Sequence, residues 1–325
     1  MSINTQQSAR PSSGPSRLAY AASTLIGVGL VWSLYVDTRH PWSHVAPPAG
    51  TPATQASLAD GARLFQQNCA ICHGAKADGN GIAANVLDPK PRDFHVGKYR
   101  LVTSGNGVPF RDDVIHTIQH GMPGTSMPAW LHLSSTELGS LADYVMSISH
   151  DSLKEQLRVK LYAKSKLKPE VIEKRLSKST DDRLKPEDAV QPGEEPPFTA
   201  ADVEPARTMF MQACAVCHGP DGRGMQNPEW KTEEGLPIAS RNLRSGIFKG
   251  GGRGRDIYTR IYAGIPGTPM PTFSNFKRED IWRLAHFVEA LAVPEGVEPD
   301  VLKVAAPLAA TQPTARAIAS PQEAH

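Results

Sequence analysis

Apolar residues run along this chain in two regimes, one continuous and one periodic. From Leu18 to Val36, nineteen consecutive residues carry no charge (LAYAASTLIGVGLVWSLYV). As a helix that stretch is about 28 Å long, close to the hydrocarbon thickness of a bilayer. Arg10 and Arg17 precede it, Asp37 and Arg39 follow it, and Tyr20, Trp32, Tyr35 and Trp42 lie near its ends. The pattern predicts a single uncleaved transmembrane anchor over 18–36, with 1–17 on the cytoplasmic side. A signal peptide would carry a shorter apolar region and then a small-x-small cleavage site, which Tyr35-Val36-Asp37-Thr38 does not offer. Farther on, apolar positions recur at three- and four-residue spacing: Leu138, Leu141, Tyr144 and Val145, then Ile281, Leu284, Phe287 and Val288. That period predicts two amphipathic helices. Ser134 or Ser135, ahead of Glu137, is an N-cap for the first.

The two periodic segments close two copies of one unit. Phe65 stands four residues before Cys69, as Phe210 stands four before Cys214. Asp78 and Met127 are 49 residues apart, as are Asp221 and Met270. Gly121-Met122-Pro123-Gly124-Thr125-Ser126-Met127-Pro128 matches Gly264-Ile265-Pro266-Gly267-Thr268-Pro269-Met270-Pro271. The copies occupy 57–150 and 199–293.

Other segments read as connectors. Residues 37–56 hold Pro41, Pro47, Pro48 and Pro52 and predict an extended, unpacked tether. Residues 151–198 form a charged, partly helical linker, with one or two helices broken near Pro169. Such a charged helix reads as a solvated spacer, whose Lys160, Lys164, Lys166 and Lys168 suit a partner or anionic headgroups. Residues 294–325 are rich in Pro, Ala and Thr and predict a disordered tail.

Composition narrows the chemistry. A net charge of +2 gives no ground for nucleic-acid binding. Gly250-Gly251-Gly252-Arg253-Gly254 lacks the Lys-Ser/Thr ending of a phosphate loop, so nucleotide binding is set aside. The four cysteines fall in Cys69-Ala70-Ile71-Cys72-His73 and Cys214-Ala215-Val216-Cys217-His218. Each is a C-x-x-C-H pentapeptide, the attachment site of a c-type haem. Two sulfurs one helical turn apart reach two vinyl groups, and the adjacent His reaches the iron. No thiol is left for a disulfide or a nucleophile. The expected cofactors are therefore two covalently bound haem c groups, with His73 and His218 as iron ligands.

A first helix ending in C-x-x-C-H, Gly-rich loops, a Met loop and a closing helix resemble class I cytochrome c domains. The resemblance implies a mainly α fold, two tandem class I cytochrome c domains after one N-terminal transmembrane helix. It also implies that the first and last helices of each copy cross through aromatic pairs, here Phe65 with Tyr144 and Phe210 with Phe287. Two such domains behind one anchor resemble the membrane-bound dihaem cytochromes c of bacterial respiratory chains.

The second axial ligand of the first iron has four candidates: Met122, Met127, His116 and His120. The repeat sets Met122 against Ile265, His120 against Ala263 and His116 against Thr259, whereas Met127 faces Met270. In the resembling family this Met-Pro loop carries the distal ligand, so Met127 and Met270 are assigned to it. Arg92 and Arg241, at similar places in the copies, suit bidentate pairing with haem propionates, and a solvent-exposed loop position is the alternative. Trp130 and Phe273 are expected to wall the haem crevices, and His95, His132, His150 and His286 to be surface or satisfied helix residues.

Iron held on both faces leaves no place for substrate, so the expected function is electron transfer rather than catalysis. The expected setting is the bacterial cytoplasmic membrane, single-pass, with both haem domains in the periplasm. The expected partners are the bilayer through 18–36, a membrane-bound quinol-oxidising or terminal oxidase complex, and another cytochrome. Alternatives are the electron-accepting cytochrome subunit of a periplasmic dehydrogenase and a dihaem peroxidase, which needs an open or switchable distal site.

Overall fold

The computed structural model describes residues 53–164 and 167–303. The segment expected to be the anchor and most of the tether lie outside the described residues. Among the described residues no helix is long and apolar enough to cross a membrane.

Helices α1 (Gln55–Asn68), α2 (Arg111–His120) and α3 (Ser135–Lys164) build the first copy. Thr54 caps α1: its hydroxyl accepts from the Ser57 N–H at 3.1 Å while Ser57 Oγ accepts from the Thr54 N–H at 3.0 Å. The helix thus begins at Gln55, inside the stretch read as tether. Ser134 and Glu137 form the matching box on α3, with Ser134 N–H donating to Glu137 at 2.9 Å. Leu64 and Phe65 of α1 pack with Val114 and Ile118 of α2 and with Leu138, Leu141 and Val145 of α3. Gly61 sets how closely α1 and α3 cross, because a Cβ there would stand 2.0 Å from the Ser140 carbonyl oxygen.

The second copy repeats this plan with α5 (Ala200–Ala213), α6 (Gly254–Ala263) and α7 (Arg278–Leu291). Ala206 stands where the first copy has Gly61 and is fully buried. The aromatic pairs expected at the crossings meet: Phe65 and Tyr144 lie 5.4 Å apart, Phe210 and Phe287 5.3 Å.

The connector is not the solvated spacer expected. Helix α3 runs 30 residues without a break to Lys164, and α4 (Pro169–Arg183) folds back along it with Pro169 in the first helical turn. Leu157, Ile172 and Leu176 are buried between them. Beyond α4 the chain is a strap across both copies. Val190 N–H donates to Thr103 O at 2.6 Å, Trp282 Nε1 to Pro192 O at 3.0 Å, and His286 Nε2 meets Glu195 at 3.0 Å. Buried Val190 explains the difference: one apolar side chain among polar ones gives no periodic signal. The start of the tail is likewise ordered. Arg244 donates to Val297 O at 2.7 Å and to Glu298 at 2.9 Å, and Val301 in the turn Asp300–Lys303 is buried against the second core.

Candidate functional site

Both C-x-x-C-H motifs sit where a helix stops and restarts. Cys69 closes α1 through its N–H to Phe65 O at 2.8 Å, then opens a single turn, Ala70–His73, by accepting from the His73 N–H at 2.9 Å. Cys214 makes the same two bonds at 2.8 and 2.9 Å, to Phe210 O and from His218 N–H. In the first copy the break brings both sulfurs and the imidazole to one crevice. None of the four cysteines is paired in a disulfide. Burial pushes the Cys69 thiol up to about 11 and the Cys214 thiol up to about 12.

The imidazoles are held in one tautomer. His73 Nδ1 lies 3.1 Å from Arg92 O, and His218 Nδ1 lies 3.1 Å from Arg241 O. A carbonyl only accepts, so Nδ1 carries the proton and Nε2 keeps its lone pair, the form that binds a metal. Burial also lowers both imidazole pKa values and keeps the rings neutral. Arg92 and Arg241, singled out for their guanidinium groups, thus act on the histidines through their backbone carbonyls.

In the first copy these groups line a cavity of about 470 Å³, within the usual range for cofactor pockets. Cys69, Cys72 and His73 line it together with Met122, Met127 and Trp130. His116 and His120, whose rings lie 4.3 Å apart on α2, are not among its lining residues. Phe273 packs against the second core. Of the remaining histidines, His95 meets Asp93 at 2.9 Å, His150 meets Asp181 at 3.2 Å, and the His132 ring lies 5.6 Å from Trp130.

The Met loops are braced by a threonine whose role has no signal in the sequence beyond its recurrence in both copies. Thr125 Oγ1 donates to Met122 O at 2.7 Å and accepts from the Met127 N–H at 3.2 Å. Thr268 Oγ1 donates to Ile265 O at 2.7 Å and accepts from the Met270 N–H at 3.2 Å. Gly121 and Gly264, at φ +67° and +66°, let the loop close on itself; a Cβ at either would lie 2.6 Å from the backbone of the Pro after the Met. The methionine is therefore fixed by its own loop, identically in the two copies.

Cations gather where the copies meet. Arg92 pairs with Glu234 of the second copy, and Arg100 lies 3.8 Å from the same carboxylate. Arg241 reaches the other way: a Cβ at Gly124, in the first Met loop, would stand 2.6 Å from its Nη1. Arg100 Nη1 donates to Gly267 O of the second Met loop at 3.4 Å. Arg92 Nη2 lies buried with no hydrogen-bond partner among the described residues, a donor left for an acceptor in the crevice. Paired sulfurs, a metal-ready imidazole, a braced thioether and an unmet donor fit a covalently bound haem with its anionic propionates.

Known proteins follow the two copies. The family model described as Cytochrome C oxidase, cbb3-type, subunit III matches residues 56–145, and the model described as Cytochrome c matches 203–292. The Cbb3-type cytochrome c oxidase subunit CcoP of Rhodobacter capsulatus is 27% identical over 217 residues, 66% of this chain and 52% of that protein. The chain thus spans about half the length of this relative. Cytochrome c6 of Synechococcus elongatus is 33% identical over 92 residues, 28% of this chain and 90% of the relative. A chain of the reducing HAO-like protein complex of Kuenenia stuttgartiensis is 26% identical with a TM-score of 0.61, covering 76% of this chain and 100% of that one.

Proposed function

The chain belongs to the cytochrome c family, with one such domain in each half, and on that premise we propose that it relays electrons as a membrane-anchored subunit of a respiratory complex. The complex is of the quinol-oxidising or terminal-oxidase kind, with both domains on the periplasmic side. Each domain holds one haem c, two per chain. Cys69 with Cys72, and Cys214 with Cys217, tether the two macrocycles. Bound there, a haem supplies an iron that takes up and gives up one electron. His73 and His218, through Nε2, and Met127 and Met270, through their thioethers, would hold the irons. Arg92 and Arg241 bind propionate oxygens. The residues bind, orient and exclude water, and leave no open position for substrate.

One observation carries this reading: the two histidine–methionine frames repeat bond for bond, down to the Nδ1 contact of 3.1 Å and the threonine brace. A protein with one catalytic haem has reason to make the two frames differ. The similarity to CcoP and to the subunit III model supports the respiratory setting, and the apolar run 18–36 supports the membrane. A second reading, the cytochrome subunit of a periplasmic dehydrogenase, is favoured by the likeness to a chain of the reducing HAO-like complex.

Gentle detergent isolation from native membranes separates the two. The respiratory reading predicts a complex containing further haems, in which added quinol reduces this chain. Isolation with a periplasmic catalytic subunit, and no reduction by quinol, contradicts it and supports the second reading.

A further inference from the structure

The cation cluster holds more positive charge than its own carboxylates answer. Lys249 belongs to the second domain yet lines the crevice of Cys69, Cys72 and His73. It follows Arg241 by eight residues, as Arg100 follows Arg92, so the repeat makes it the counterpart of Arg100. Lys249 has no ion-pair or hydrogen-bond partner among the described residues, whereas Arg92 and Arg100 share Glu234 and Lys98 lies 3.8 Å from Glu233. The other acidic groups lining the crevice are committed to their own turns. Asp78 accepts from the Asn80 N–H at 3.0 Å, Asp93 from the His95 N–H at 2.9 Å, and Asp113 from the N–H groups of Thr103 and Phe110 at 3.0 and 2.9 Å. Half-buried, Lys249 has its ammonium pushed down to about 8 by desolvation and then by Arg241, Arg100 and Arg92, with Asp88, the smallest of these influences, pulling the other way. A half-buried cation facing three others, with only the weak pull of Asp88 against them, is costly unless a further anion joins them. A covalent haem in this crevice brings two carboxylates.

We infer that Lys249, carried by the second domain, holds a propionate of the haem attached in the first, so that the first haem site is complete only when the two domains are docked. The inference rests on the haem c reading of Cys69, Cys72 and His73. Its consequence is electrostatic: a cation near the macrocycle disfavours the ferric state, so the second domain raises the potential of the first haem.

The test is spectroelectrochemical titration of the full haem-loaded chain. The wave displaced by Met127→His marks the first haem. Lys249→Gln lowers that potential and leaves the other wave nearly in place, while Lys249→Arg restores the wild-type value. An unchanged first wave, or a shift confined to the second haem, overturns the inference. A chain that carries no covalent haem at Cys69 and Cys72 overturns the underlying reading instead. Should Lys249→Gln not accumulate, zero-length carbodiimide coupling of the wild-type protein decides. An amide between Lys249 and the haem on the Cys69–Cys72 peptide supports the inference. Lys249 recovered unmodified, or joined to the haem on the Cys214–Cys217 peptide, overturns it.

Discussion

Replacing Thr268 by Val keeps the shape of the side chain and removes only the hydroxyl that braces the second Met loop. That hydroxyl makes two bonds, to Ile265 O at 2.7 Å and from the Met270 N–H at 3.2 Å. Each is worth about 1 kcal/mol net, and the half-exposed loop lets water recover part of that. The brace therefore contributes about 1–2 kcal/mol to holding Met270 in its position. Through the equilibrium constant, this is about 5- to 30-fold in the ease of displacing the methionine. Imidazole titration of the ferric protein reads the effect in the weak near-infrared band of sulfur ligation. In Thr268→Val the second haem should lose the band at about 5- to 30-fold less imidazole than in wild type, with the first haem unchanged. Thr125→Val should do the reverse. A Thr268→Val protein that loses its band at the wild-type imidazole concentration would refute the brace.

Three further outcomes follow from the geometry. Gly61→Val should destabilise the first domain by about 1–3 kcal/mol or prevent its folding, since even a Cβ meets Ser140 O at 2.0 Å; thermal melts followed at each haem check this, and an unchanged first-domain melt contradicts it. The Asp202 carboxyl is held down to about 2, from an ordinary 3.8, by hydrogen bonds from Thr199 and then Arg283, so its stabilising contribution is full above about pH 4 and is lost as pH falls toward 2. Acid titration of Asp202→Asn should lack that segment of the unfolding curve, and a curve identical to wild type would count against it. Removing residues 1–40 and supplying a cleavable export signal should give a soluble red protein, whereas membrane association of that product would show that the anchor lies elsewhere.

The sequence made the chemistry legible because the chemistry is local. Two pentapeptides and two Gly-Thr-x-Met-Pro loops lie in fixed register; the repeat and the family resemblance favour Met127 over Met122, and both methionines line the first crevice. The crossing aromatics were legible for the same reason, as Phe65 and Phe210 hold the same offset from their cysteines. What depends on distant residues was not. Nothing local tells that Arg92 meets Glu234, 142 positions later, or that the 185–195 segment straps both domains through Val190, Pro192 and Glu195. That the backbone carbonyls of Arg92 and Arg241 also meet His73 and His218 was not legible, since carbonyls carry no sequence signature. The threonine brace was present in the repeat but was weighed only as part of the loop around the methionine.

Two haems per chain, each held by histidine and methionine, are what the electron-relay reading requires. Its most direct test is the near-infrared band of the ferric native protein, measured against covalent haem determined as pyridine haemochrome. The expected result is two haems per chain, a band amplitude matching sulfur ligation at both, and no carbon monoxide binding by either ferrous haem at neutral pH. A band accounting for one haem or none, with carbon monoxide bound at the other, would contradict it.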